Sequence, residues 1–460
     1  MQQSTKHIVS VCDQIFNPKE CQELARKHLF VQRSSSKIRG DEFVKMLVLP
    51  SKDLATDSLN GLCLRMKEFN PEVDISASAL AQRINTLSAV EFMKACMQKI
   101  LRYIREGFIK QNTGLEGVLS YFNNVYLEDS TVFELSQHLH KEYPGTKRGG
   151  KKGGASCKAQ MKLDLIHNFT KGTIKNVEIF EGKRPDQALT GRILGIIEKS
   201  DLVIRDLGYF KLGSLRSISE KGAYFLSRMP SHIQVFLRVD DERPVDLSAY
   251  FKKKFKHSQK IDIDVWIGAE RLPVRLVAYR IPKDVIKERN RKAHKNAKEI
   301  GRTLSKAKLD LLGFSLFVTN VPREVLPAEI VGTVYRLRWE IELIFKQWKS
   351  ILKIDVLKGI CPYRIDCLIW GRLCQVILLA GLIANFMNLA KKLTQGELSP
   401  EKLVHYLIRN DRLCNAVKRH QEEDFEQEII KDIERRLLKD KRARTTMRSK
   451  VINLEPYYGL

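Results

Sequence analysis

The 460-residue chain has no C-x-x-C pair, no P-loop and no dinucleotide-binding glycine fingerprint. The usual sequence signs of a nucleotide-phosphate cradle or a thiol redox pair are therefore missing. Its nine cysteines stand scattered at 12, 21, 63, 96, 157, 361, 367, 374 and 414, with no histidine at zinc spacing. An odd, dispersed set excludes a disulfide framework and predicts reduced thiols in a cytosolic compartment. The opening MQQSTKHIVSVCDQIF lacks the basic start and long apolar run of a secretory signal. The most apolar stretch, Leu373 to Ala384, contains Gln375 and is flanked by Arg372 and Asn385. It is short for a membrane span, so it predicts a buried helix and no membrane partner. Acids are scarce: 54 Asp and Glu face 80 Lys and Arg, a formal charge of +26. Such an excess favours a polyanionic partner through phosphate neutralisation and counterion release. With 43% hydrophobic residues and no low-complexity bulk, the chain is globular and long enough for several domains.

Residues 1–112 read as helical, with helices expected at Asp41 to Val48, Asp57 to Phe69, Ser78 to Asn85 and Ser88 to Ile109. Ser88-Ala-Val-Glu91 has a capping-box pattern. The segment 74–85 and the helix after it resemble a helix-turn-helix pair, which makes this region a candidate DNA-end-binding domain. From 117 a β-rich run stops at Asp129-Ser-Thr. A carboxylate at the end of a central strand is where an α/β sheet presents ligands, although the same Asp could cap a helix over Phe133 to His140. Glu128 would alternate to the other face of the strand. Gly145 to Gly154 is a basic glycine-rich loop, read either as a phosphate contact or as a solvated linker. Ser156 to Asn168 and Thr173 to Glu181 pattern as a hairpin. Asp186 to Lys199 reads as an amphipathic helix. A short apolar strand then delivers Asp206 to its C-terminal end ahead of Gly208, where a plain turn is the competing reading. Asp201, before that strand, is the weaker acid.

Several strand-like runs fill 224–280. Between Asp284 and Lys308 follows a helix-compatible, almost single-signed run of Lys and Arg, expected to track a phosphate backbone. Gly313 to Val318 patterns as a buried strand. Tyr335 to Lys349 contains no Pro or Gly and reads as one helix. At about 100° per residue, Tyr335, Arg338, Glu342 and Lys349 share an arc of roughly 60°, flanked by Trp339 and Lys346. Leu337, Ile341, Ile344 and Trp348 form an apolar stripe away from it, with Phe345 on its shoulder. The front of this helix thus carries one acid among cations and a phenol. Three carboxylates, Asp129, Asp206 and Glu342, would together bind hard divalent cations, Mg²⁺ being expected and Mn²⁺ a substitute.

At these residues the chain resembles bacterial insertion-sequence transposases of the DDE class, in the group with a Tyr-(2)-Arg-(3)-Glu-(6)-Lys signature. Tyr335, Arg338, Glu342 and Lys349 fit that spacing without a gap. Asp129 and Asp206 match the two earlier acids, and the resemblance spans about 115 to 390. It implies an α/β fold with a ribonuclease-H-like mixed sheet flanked by helices, a β-rich insertion, and helical N- and C-terminal regions. The expected division is 1–112 for a helical DNA-end-binding domain, 113–222 and 313–394 for the two parts of the catalytic core, 223–312 for the insertion ending in a basic helix, and 395–460 for a helical region meeting DNA or a second subunit. The resemblance further implies catalysis and metal binding by Asp129, Asp206 and Glu342. Terminal inverted repeats would be cleaved through a hairpin intermediate and joined to target DNA by a homodimer in the bacterial cytoplasm, at the nucleoid. Tyr335, Arg338 and Lys349 would grip phosphates, with Lys346 beside them. The family places a stacking Trp near the strand before the Glu helix. This chain has Phe314 there, and Trp339 beside the site is the other candidate for stacking on an extruded base. An inactive DNA-binding relative, or a nuclease that cuts without joining, would use the same fold.

Overall fold

The computed structural model describes residues 8–439 apart from 34–35, 52–53, 55–56, 109–116, 147–157, 300, 395, 397 and 420–421. Most of the basic glycine loop and the basic tail beyond Lys439 lie outside the described residues. Among the described residues six helices come first: α1 (Ile8–Ile15), α2 (Pro18–Lys27), α3 (Gly40–Val48), α4 (Leu59–Phe69), α5 (Ala77–Ile84) and α6 (Leu87–Phe108). Their starts follow local chemistry. Asn17 accepts from the Glu20 N–H with Pro18 in the first turn of α2, and Ser76 accepts from Ala79 N–H at α5. The expected capping box at Ser88 does not form. Thr86 Oγ1 takes the Ala89 N–H at 3.2 Å, so α6 begins one residue earlier, and Glu91 pairs with Lys94 instead.

Next come β1 (Val125–Glu134), β2 (Gln160–Asn168), β3 (Thr173–Glu181), β4 (Leu202–Arg205), α7 (Leu212–Glu220) and β5 (Tyr224–Arg228). The insertion contributes β6 (Val235–Phe236), α8 (Leu247–Lys254), β7 (Lys260–Ile267), β8 (Leu272–Arg280), α9 (Lys283–Glu299) and α10 (Lys306–Leu311). Then follow β9 (Phe314–Thr319), α11 (Ala328–Tyr335), α12 (Trp339–Ser350), α13 (Pro362–Leu393), α14 (Pro400–Ile408), α15 (Arg412–Arg419) and α16 (Glu422–Asp432).

Among the described residues, nine strands join one mixed sheet in the order β3-β2-β1-β4-β5-β9-β8-β7-β6. The β2–β3 hairpin is antiparallel to β1, whereas β1, β4 and β5 run parallel, which is the expected ribonuclease-H-like arrangement. β5 pairs with β4, so the core sheet continues past 222, and the insertion strands extend this sheet through β8 and β9 instead of forming a separate layer. Odd positions of β1, Val125 and Leu127, pack into a core shared with α6, α12, α13 and the N-terminal helices. Even positions such as Tyr126 face a second core with α7, α8 and the insertion.

Several elements differ from expectation. β1 does not stop at Asp129: it pairs with β2 as far as Glu134, because only its parallel pairing with β4 ends at Glu128. The Phe133 to His140 helix is replaced by the strand end and a short 3-10 turn over Gln137–Leu139. Asp186 to Lys199 is two 3-10 turns, with Gly191 and Gly195 weakening any longer helix. The apolar stretch at 373 belongs to α13, a 32-residue helix that is long enough to span a membrane. Length therefore does not exclude a span. Burial marks it as a core helix: most of its apolar window is covered, with Cys367, Leu373, Cys374, Leu378 and Leu382 fully inside the shared core.

Candidate active site

The parallel pairing of β1 and β4 ends at Glu128 opposite Arg205, and each strand carries an aspartate one residue further on. Asp129 stays in β1 on the face toward α12. Asp206 leaves β4 as the residue preceding a 3-10 turn, Leu207–Tyr209. Glu342 comes to the same place from the first turn of α12. The presumed single helix is segmented: α11 ends at Tyr335, a 3-10 turn covers Arg336–Arg338, and α12 begins at Trp339. Leu337, Ile341, Phe345 and Trp348 are its buried side, with Ile344 only partly covered.

The three acids meet on one guanidinium. Arg338 Nη1 lies 3.2 Å from Asp129 Oδ2 and 2.7 Å from Glu342 Oε1, and its Nε lies 3.6 Å from Asp206 Oδ1. Tyr335 donates its hydroxyl to Asp206 Oδ1 at 3.1 Å. The Arg338 and Asp129 side chains are only 12% and 16% exposed. Burial pushes the Asp129 carboxyl up to about 7, and neighbouring Asp206 and Glu342 add to the rise, against the Ser130 N–H and Arg338. For Arg338 burial opposes the charge, but Asp206, Tyr335 and Glu342 outweigh it and raise its pKa. Burial and the facing Asp206 carboxylate raise the Tyr335 phenol. Lys349, lowered by burial, donates to the Val132 carbonyl at 3.2 Å.

The donor set is all oxygen, which suits hard divalent cations. Among the described residues no group of His, Cys, Asp or Glu is drawn close enough to hold a metal as it stands, and the cation between the three acids is Arg338. The acids thus fit a metal by chemistry and by the cation already between them. Without a divalent ion, the raised Asp129 has a testable consequence. Its folded pKa exceeds the ordinary 3.8, so the folded protein keeps this proton longer than the unfolded chain. Its stabilising contribution is complete below about 4 and lost as pH rises through about 7. Urea unfolding across that window is expected to fall more steeply for the unsubstituted protein than for Asp129→Asn; equal slopes would refute the shift.

Not every expected residue gathers here. Trp339 is 57% exposed beside the acids, with Leu343 and Leu207 also exposed, and Lys346 is exposed on α12. Phe314 packs on Phe251 and Phe255 at ring-centroid distances of 5.1 and 4.7 Å, so it is a core aromatic of the insertion rather than an open stacking platform. Arg289 of the basic helix donates to the Phe314 carbonyl and Ser315, pinning α9 to β9, while Lys287, Arg291, Lys292, Lys295 and Lys298 remain exposed. Asp201 accepts from Asn124 and the Glu198 N–H and takes no part in the site.

A second set of polar residues was not anticipated. Even positions of β1 face away from the acids, and there Glu128 forms a fully buried ion pair with Arg205. Arg205 also donates to Ser214 Oγ and the Thr190 carbonyl, both at 2.7 Å. Burial holds the Glu128 carboxyl up at about 7 despite that partner. A signal existed in the sequence: opposite charges stand at the same offset before the two aspartates.

The mixed sheet with three acids gathered at the end of its parallel strands is the arrangement expected of a DDE-type DNA-acting enzyme. A family model described as "Transposase DDE domain" matches residues 121–378, and the chain belongs to that family. The transposase for insertion sequence element IS231B from Bacillus thuringiensis subsp. berliner is 28% identical over 408 residues, covering 84% of this chain and 82% of the relative. The transposase for IS1151 from Clostridium perfringens is 27% identical over 427 residues, covering 89% and 87%. Among solved structures, the piggyBac transposase in its synaptic complex with hairpin DNA aligns at a TM-score of 0.39 with 9% identity, over 97% of this chain and 88% of that one; so loose a likeness places no residue.

Proposed function

We propose that the protein binds the terminal inverted repeats of an insertion sequence, cleaves them and joins the ends to target DNA by a cut-and-paste route with a hairpin intermediate. The observation that carries this reading is the convergence of Asp129, Asp206 and Glu342 on one part-buried cation position at the end of the parallel strands. These three acids would hold Mg²⁺, with Mn²⁺ substituting. Such ions activate a water or a 3′-hydroxyl and stabilise the leaving oxygen of an in-line phosphodiester displacement.

The chain's own residues do the rest. Arg338 and Tyr335 neutralise and orient the acids before DNA arrives, then turn to the phosphates flanking the scissile bond. Lys349 and exposed Lys346 grip phosphates further along. Trp339 offers an uncovered indole face for a base extruded next to the site, where stacking offsets the few kcal/mol of unpairing. α5 and α6 would read the terminal repeat, and the exposed lysines of α9 would track the backbone. Two copies would pair the two ends, working in the bacterial cytoplasm.

The direct test incubates the protein with Mg²⁺ and a labelled terminal-repeat duplex and looks for hairpin and joined products. Cleavage without joining would reduce the protein to a nuclease, and no cleavage with retained binding would make it an inactive relative. Lys349→Ala should weaken end binding and lower the slope of log K against log salt by about one phosphate contact. An unchanged slope would remove Lys349 from the DNA surface.

A further inference from the structure

Asp206 directly precedes a three-residue turn, and among the described residues its side chain is held in front by Tyr335 and Arg338. Behind it, on the far face of the sheet, that turn is anchored twice. Tyr209 gives its backbone N–H to the Asp206 carbonyl at 3.1 Å and its hydroxyl to Asp164, a wholly buried acid of β2. Asp164 is also paired with Arg192 and lies opposite Ser130 in the β1–β2 register. The second anchor is Asp186. Its Oδ1 accepts from Ser130 Oγ at 2.8 Å and from Lys162 Nζ at 2.6 Å. Its Oδ2 sits where a Cβ on Gly208 would come within 2.8 Å, so the turn is seated directly against this carboxylate. Both anchors join the turn after Asp206 to the stretch of β1 that bears Asp129.

We propose that Asp164 and Asp186 are positioning residues that set the spacing between Asp129 and Asp206 through Tyr209, Gly208 and Ser130. They touch neither the three acids nor Arg338 among the contacts of the site. Fold stability alone does not call for two buried or half-buried acids, each with a cation and a hydroxyl donor, bracketing the one turn that carries a metal-site residue. Outer partners of this kind orient the groups in front of them, and their loss costs about ten-fold or more in metal affinity. The inference rests on the metal-binding reading of Asp129, Asp206 and Glu342.

Mn²⁺ titration of the full chain, with free Mn²⁺ followed by electron paramagnetic resonance, tests it alongside metal-free thermal melting. Tyr209→Phe and Ser130→Ala, each removing one hydroxyl, are expected to raise half-saturating Mn²⁺ about ten-fold. A merely structural role would lower the melting temperature and leave Mn²⁺ half-saturation unchanged, and that result would overturn the proposal. Should Tyr209→Phe not fold, Ser130→Ala decides alone, since it alters a part-exposed hydroxyl and leaves the backbone bond to Asp129 intact. Asp206→Ala separates the two levels. If the unsubstituted protein takes up no Mn²⁺, or Asp206→Ala takes it up equally well, the metal reading itself falls, and the positioning role falls with it.

Discussion

Glu342→Gln is expected to lower terminal-repeat cleavage on the order of a thousandfold, about 4 kcal/mol of transition-state stabilisation, while end binding persists. The substitution is isosteric, and Glu342 meets Arg338 at 2.7 Å on a part-exposed helix face, so the fold has little to lose. On the proposed reading, what is lost is the anionic ligand that Glu342 would supply to a divalent ion. Glu340→Gln supplies the control: it lies on the same turn of α12, about 200° round the helix, and points away from Asp129 and Asp206. Cleavage within ten-fold of the unsubstituted protein for Glu342→Gln would take this residue out of the site. An equal loss for Glu340→Gln would make the effect one of helix stability.

Arg205→Met is expected to cost about 3–5 kcal/mol of folding stability, because it strands the Glu128 carboxylate where water cannot reach it. The shared register makes this pair more than a local contact. Glu128 and Arg205 close the last parallel rung before the two aspartates, and Arg205 also ties β4 to Thr190 and Ser214. Its signature is a pH dependence of known sign. Glu128 already sits at about 7 through burial, with Arg205 pulling it down. Without Arg205 its pKa rises further, the folded state holds the proton more tightly, and the stability deficit narrows below about 7 and widens above it. Urea midpoints at pH 6 and pH 8 read this directly. Adding Glu128→Gln to Arg205→Met should restore most of the loss at pH 8, since a neutral amide needs no counter-charge. A deficit independent of pH would mean that packing around Arg205 matters rather than its charge.

Particular residues show how far sequence reasoning reaches. Tyr335, Arg338, Glu342 and Lys349 were legible because their spacing is a property of one local segment, and helical periodicity puts them on one side whatever the rest of the chain does. The β2–β3 hairpin was legible because its two alternating runs and the turn between them are also one local segment. The end of β1 was misplaced because Asp129-Ser-Thr looks polar in isolation. Antiparallel pairing with β2, arriving from thirty residues away, carries the strand on to Glu134. The segment 186–199 has helical periodicity yet forms two 3-10 turns, since its backbone and side chains serve Arg205 and Asp164 instead of an internal helix ladder.

Local periodicity, charge excess and the four-residue spacing were enough to point to an α/β DNA-acting enzyme and to three candidate acids, because composition and spacing are carried by the chain itself. The tertiary structure alone decided that those acids share the Arg338 guanidinium, that Phe314 is packed away while Trp339 is open, and that Asp164 and Asp186 stand behind the turn at Asp206. Those outcomes depend on strand register and burial, which arise from contacts between residues far apart in sequence, and no local pattern encodes them.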